Sequence, residues 1–230
     1  MIDTGRYSEA LSTAEESLKI GKEIGDPEYE SQCNKVIALA HLYAAQQKDL
    51  PGLGDLEGLD HLTAARAAIE AACKFDVPRN NHNVHALRGI IALAQHGRGG
   101  VIPPQSGDIT SPLHIARESF QTAIAHADAL LAQTPELYGA LDAKGIALCG
   151  LAVVGAGLVS ALVPAHTGRP QGSPLQDAVN TFRAARKINR DPGIVARVVR
   201  WVDALARAHP NGAVLLANAR RAAEGNDIEL

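Results

Sequence analysis

Histidine is the side chain with the most chemistry on offer in this sequence. The chain has nine, and His82 and His85 stand three apart in NNHNVH, residues 80–85. On a helix that spacing places both imidazoles on one turn. A zinc centre would need one or two further ligands, and no Asp or Glu accompanies the pair at zinc-like spacing. The plainer reading has Asn80 or Asn81 capping a helix while His82 faces solvent. His114 and His126 are too far apart in sequence for a local pair and read as surface positions. The sequence assigns no metal.

Phosphate and acyl chemistry find no better footing. Gly155-Ala156-Gly157 lies inside an apolar run with no strand before it, so a dinucleotide-binding turn lacks its structural context. No stretch reads GxxxxGK[ST], and Gly97, Gly99 and Gly100 read as loop flexibility. Serine-nucleophile signatures and paired inward carboxylates are missing as well. The sequence predicts no catalytic residue and no cofactor.

The elements that would position such residues are helices. Hydrophobic residues make up 46% of the 230, but aromatics only 3%, so the apolar bulk is Ala, Leu, Ile and Val. Ala and Leu favour helices, and small residues let helices approach closely. The net charge is −3, with both signs spread along the chain. Without a basic stripe interleaved with aromatics, no nucleic-acid footprint is visible. Cys33, Cys73 and Cys149 each lie in apolar, helical stretches and read as reduced, buried thiols. The opening MIDTGRYSEA lacks the regions of a signal peptide. The expected location is the cytoplasm.

One pattern recurs four times. It reads Tyr7, Ala10, Ala14, Ser17; then Leu62, Ala65, Ile69, Ala72; then Leu113, Ala116, Phe120, Ala123; and last Leu175, Ala178, Phe182, Ala185. Offsets of three and four put each set on one helix face, with large and small residues alternating. Between these helices lie others of a second type, Val36 to Gln47, His85 to Ala94 and Leu141 to Ala152. The last two share a basic residue and glycine, Arg88–Gly89 and Lys144–Gly145, ahead of an apolar run. A helical glycine costs about 1 kcal/mol against alanine, so its repetition predicts a close helix approach with no room for a Cβ.

This alternation resembles the tetratricopeptide repeat. GRYSEALSTAEESL, residues 5–18, is similar to the second helix of such a repeat, while Leu39–Ala40 and Tyr43 match a first helix. Asp26–Pro27, Val77–Pro78, Thr134–Pro135 and Asp191–Pro192 fall near the repeat boundaries, where proline suits a helix start. The resemblance covers nearly the whole chain. It implies an all-α, superhelical array of about nine helices in four to five pairs, forming a single domain over residues 1–230. The stretch from Leu137 to Ala206 also resembles the repeat region of bacterial STAND-type signal-transduction ATPases, which implies a sensor or scaffold.

The departures from the family are informative. Its unit is about 34 residues, whereas Ala10, Ala65, Ala116 and Ala178 are 55, 51 and 62 apart. The extra length falls in Gly/Pro-rich insertions near 47–58, 96–112 and 164–174, expected to emerge at one edge of the solenoid. The array also opens on a second-type helix, which predicts an apolar face covered by a preceding part of a longer protein or by another subunit.

In such arrays the first helices line a concave surface where partners lie. Carried over residue by residue, the resemblance implies a binding groove of Asn34, Ile37 and His41; Asn83, Ala86 and Ile90; Asp142 and Ile146; and Arg197, Arg200 or Trp201. Each has a blander reading as an ordinary helix position, and Trp201 as core. Ile146 to Val163 carries no charge over 18 residues, long enough to raise the question of a membrane span. Its small residues favour instead a first helix buried between neighbours, or a homodimer contact. The leading functional expectation is a non-catalytic scaffold for a protein or peptide, with no nucleic acid and no membrane. A small-molecule sensor with a pocket closed by the insertions is the alternative. A catalytic helical domain would need a cluster of perturbed titratable groups.

Overall fold

The computed structural model describes residues 7–47, 55–97, 111–159 and 173–226, and every regular element among them is helical. The helices are α1 (Tyr7–Ile24), α2 (Pro27–Gln47), α3 (Asp55–Ala72), α4 (Asn81–Gly97), α5 (Pro112–Gln133), α6 (Tyr138–Val159), α7 (Pro174–Ile188), α8 (Pro192–Arg207), α9 (Gly212–Leu215) and α10 (Ala217–Glu224). The described helices exceed the expected number by one, because the chain turns tightly after α8 and splits its end into α9 and α10. Gly212 makes that turn: a Cβ there would stand 2.1 Å from the Ala206 carbonyl oxygen.

Helix starts follow from local chemistry. The Asp26 carboxylate accepts from the N–H groups of Glu28 and Tyr29, and Pro27 opens α2 without needing an N–H of its own. Asp191 does the same for Gly193 and Ile194 ahead of Pro192. Ser111 accepts from the His114 N–H ahead of Pro112. Of the insertions expected near 47–58, 96–112 and 164–174, residues 55–58 belong to α3, Gly97 ends α4, and Pro112 and Pro174 open α5 and α7. Residues 48–54, 98–110 and 160–172 lie outside the described residues.

From α1 to α7 each helix packs against the next in sequence. The recurring four-residue sets form the contact: Leu62, Ala65, Ile69 and Ala72 are buried, as are Ala116, Phe120 and Ala123, and Ala178, Phe182 and Ala185. Leu113 and Leu175 pack on the same core while only partly buried. The repeated glycines answer these sets. A Cβ on Gly89 would lie 2.5 Å from the Phe120 ring, and one on Gly145 would lie 2.6 Å from the ring of Phe182. A Cβ on Gly150 of α6 would also collide with the Phe120 ring. What forbids a Cβ at Gly89 and Gly145 is an aromatic ring from the following helix, and at Gly150 one from the preceding helix, rather than a second helix axis.

Beyond α7 the simple order ends. Both α7 and α8 pack against α10, while α8 lies against α4 and α6. Helix α6 thus meets α4, α5, α7 and α8, which explains why it is apolar all round after Lys144. Over Tyr138–Ala156 it is long and apolar enough to cross a membrane, and 56% of that window is buried inside the fold. Cys33 and Cys149 are buried and Cys73 half-buried, all as free thiols. Burial pushes the Cys149 thiol up to about 12 and the Cys73 thiol up to about 11, so neither is a ready nucleophile at neutral pH.

Candidate functional site

The inner helices α2, α4 and α6 share a face, and α8 lies across it. Helix α8 is amphipathic, and Val198, Trp201, Val202 and Leu205, at offsets of three, four and seven, are all buried. The indole N–H of Trp201 donates to the Tyr43 hydroxyl at 3.0 Å, joining positions 158 residues apart. Arg200 stands over the Tyr43 ring with 5.6 Å to its centroid, and Arg207 donates to the Gln46 side-chain oxygen at 3.3 Å. Helix α8 therefore reaches all three inner helices.

This arrangement sorts the expected groove residues. Ile90 and Ile146 are 1% and 3% exposed and belong to the core. Ile37, Ala86 and Trp201 are buried with them. Asn34 is buried and donates to the Glu30 carbonyl at 2.9 Å. Asp142 is buried against Arg186, itself fully buried, in an ion pair that joins α6 to α7. Burial pushes the Asp142 carboxyl up, against the pull of Arg186 and Arg197. His41 is half-buried, its Nδ1 3.0 Å from Nδ1 of His61 on α3, and burial lowers its proton affinity. Arg200 is half-buried and Arg197 is exposed, both on α8.

The amino ends of the inner helices hold a polar cluster that sequence reasoning placed differently. His82 was expected at the surface and is 3% exposed. Neither Asn80 nor Asn81 spends its side chain on capping α4. Asn81 accepts from the Val77 N–H and donates to Asp76, while the Asn80 amide oxygen accepts from Lys35 at 2.8 Å. The Asn80 main-chain carbonyl opens the helix, accepting from the N–H groups of Asn83 and Val84. Asn83 is half-buried, and its amide N–H donates to Nε2 of His82 at 3.0 Å. That bond leaves the His82 proton on Nδ1, a buried atom with no partner. The Asn80 amide nitrogen is likewise buried and unpartnered. His126, also expected at the surface, is half-buried and stacks on His85 with ring centroids 5.4 Å apart. His114 is exposed, as its position implied.

Electrostatics bind this cluster together. Burial first, and then the charge of Arg197, lowers Lys35 to about 8. Burial, then Lys35 and His126, lowers His82 to about 4. Burial, then His126 and Arg88, brings His85 to about 4 against the opposing pull of Glu70 and Glu118. Both imidazoles are therefore neutral at pH 7. Among the described residues no group of three or more His, Cys, Asp or Glu could hold a metal ion.

One sequence signal could have flagged Lys35. Lys35–Val36, Arg88–Gly89 and Lys144–Gly145 each precede an apolar run on an inner helix. Arg88 pairs with Glu70 of α3 at 2.9 Å, and Lys144 pairs with Asp128 of α5 at 2.6 Å. Lys35 meets the neutral Asn80 instead.

The carboxyl ends of α2, α4 and α8 are different in kind. A cavity of about 220 Å³ opens there, lined by Ala45, Gln46, Leu62, Ala94, Gly97, Ala204, Arg207 and Ala208. Its walls are mostly methyl groups, with Arg207 and Gln46 at the polar edge. No protein-family model matches this chain, and no curated protein or solved structure matches it either.

Proposed function

We propose that this chain is a non-catalytic binding module, a degenerate tetratricopeptide-like array that holds a protein or peptide partner in helical form on the inner face of α2, α4 and α6. The observation that carries this reading is α8, an amphipathic helix seated across that face by Val198, Trp201, Val202 and Leu205. A face that accepts an apolar helical stripe in cis has the shape and chemistry to accept one in trans. A partner helix would present anchors at the same offsets and exchange with α8, and a second copy of this chain is one source of such a helix. Buried free thiols suit a reducing, cytoplasmic setting. The neighbours on all sides of α6 favour a core helix over a membrane span.

A labelled peptide of the α8 sequence, Pro192 to Arg207, tests the proposal by fluorescence anisotropy. Trp201→Leu loosens the seat by removing the bond to Tyr43 and much of the buried ring. The folded variant, verified by circular dichroism, is expected to bind the peptide at least tenfold tighter than the parent chain. A folded variant that takes up no peptide overturns the proposal. The alternative, a small-molecule sensor, is favoured by the cavity at the carboxyl ends, which adjoins the last residues of α2 and α4.

A further inference from the structure

We propose that the amino end of α4 is a binding site for a small oxyanion, held by Lys35, Asn80, His82 and Arg197. The cluster has more donors than acceptors. The Asn80 amide oxygen is taken by Lys35, Nε2 of His82 by Asn83, and Oδ1 of Asp76 by Asn81. Nδ1–H of His82 and the Asn80 amide nitrogen remain without partners, in side chains 3% and 2% exposed. Buried polar atoms are almost always hydrogen-bonded, so two orphaned donors beside one ammonium call for an acceptor supplied from outside.

The charge balance points the same way. Lys35 has a neutral amide where the equivalent Arg88 and Lys144 have carboxylates from the preceding outer helix. Arg197 makes no ion pair among the described residues, and it bears electrostatically on both Lys35 and Asp142. The nearby Asp142 carboxylate is engaged by Arg186 through Oδ1, and its buried Oδ2 is left over as an acceptor against the two donors. Lys35 thus stands at the amino end of a 17-residue helix whose dipole adds positive potential, and the charge of Arg197 bears on it as well. An oxyanion supplies the missing acceptors and relieves the repulsion between Lys35 and Arg197 through charge-assisted hydrogen bonds. Lys35 and Asn83 are half-buried and Arg197 is exposed, so the rim of the cluster meets solvent while the two orphaned donors lie beneath it. Sulfate, phosphate and carboxylate groups share this chemistry. The proposal is independent of helix binding on the inner face.

The full chain would be titrated with sodium sulfate and, separately, with sodium acetate, against sodium chloride at matched ionic strength. The readouts are the His82 imidazole resonance and the thermal midpoint. A saturable response to either anion, weakened at least tenfold in Lys35→Gln and several-fold in Arg197→Gln, is the expected result. Tighter sulfate binding identifies a tetrahedral oxyanion, and tighter acetate binding a carboxylate. Sulfate also stabilises proteins by exclusion from their surface, an effect without saturation that is equal in all variants. Only that general response, or saturable binding unchanged by both substitutions, overturns the site. Arg197 is exposed, so its variant keeps the test decisive even where Lys35→Gln fails to fold.

Discussion

The two ends of the inner helices differ. Towards their amino ends, half-buried Lys35 and the buried Asn80, His82, Asp142 and Arg186 form a polar layer with donors to spare. At the carboxyl ends of α2 and α4, Ala45 and Ala94 join Ala204 and Ala208 from the end of α8 to line an opening of about 220 Å³. The repeated helix pair sets the spacing at both ends, and the residues placed there make one a polar layer and the other an apolar recess. Buried polar groups are costly unless each is satisfied, whereas a methyl-lined recess asks little of its neighbours. The amino end should therefore be the fragile one.

The largest effect should come from breaking its ion pair. Asp142→Ala leaves the Arg186 guanidinium fully buried and without its carboxylate. A loss of about 3–5 kcal/mol is expected, measured by urea unfolding, and a loss under 1 kcal/mol would show that the polar layer is not structural. Acid should expose the same fragility. His82 titrates at about 4 in the fold and near 6.5 when unfolded, so on acidification the unfolded chain takes up the proton first. The contribution of His82 is complete above about pH 6.5 and is lost as pH falls towards 4, by on the order of 3 kcal/mol. His85 adds to the slope in the same direction. Unfolding free energies at pH 7.5, 5.5 and 4.5 measure it, and His82→Gln should flatten the dependence; an unchanged slope would place the acid sensitivity elsewhere. Smallest of all should be a change at the opposite end. Ala94→Val adds two methyl groups at the edge of the recess and is expected to shift stability by less than about 1 kcal/mol. A larger loss would mean that the recess is already filled.

Much of the outer array was legible because its cause is local. Tyr7, Ala10 and Ala14 and the three later sets repeat at helical offsets, and the Asp26–Pro27 and Asp191–Pro192 pairs mark helix starts through their own hydrogen bonds. The glycines at 89 and 145 announced tight contacts, although the partner rings of Phe120 and Phe182 came from the next outer helix. The candidate site was far less readable. Asn34, Asn83, Asp142 and Arg197 were named as groove residues by resemblance alone, His82 was weighed only as a metal ligand and set aside, and Lys35 went unnoticed. Ile90 and Ile146 carry the same periodicity whether they face a groove or a core.

The sequence by itself determined the helices, their large-and-small packing faces and the absence of a recognisable catalytic motif, because hydrophobic period, proline geometry and glycine size act within a few residues. Only the tertiary structure decided that α8 crosses the inner face, since the bond from Trp201 to Tyr43 joins positions 158 apart. It also decided that His82 is buried with an unused proton. Burial is a property of what packs on top, and Lys35 and His126 reach His82 from other helices, where no local pattern records their approach.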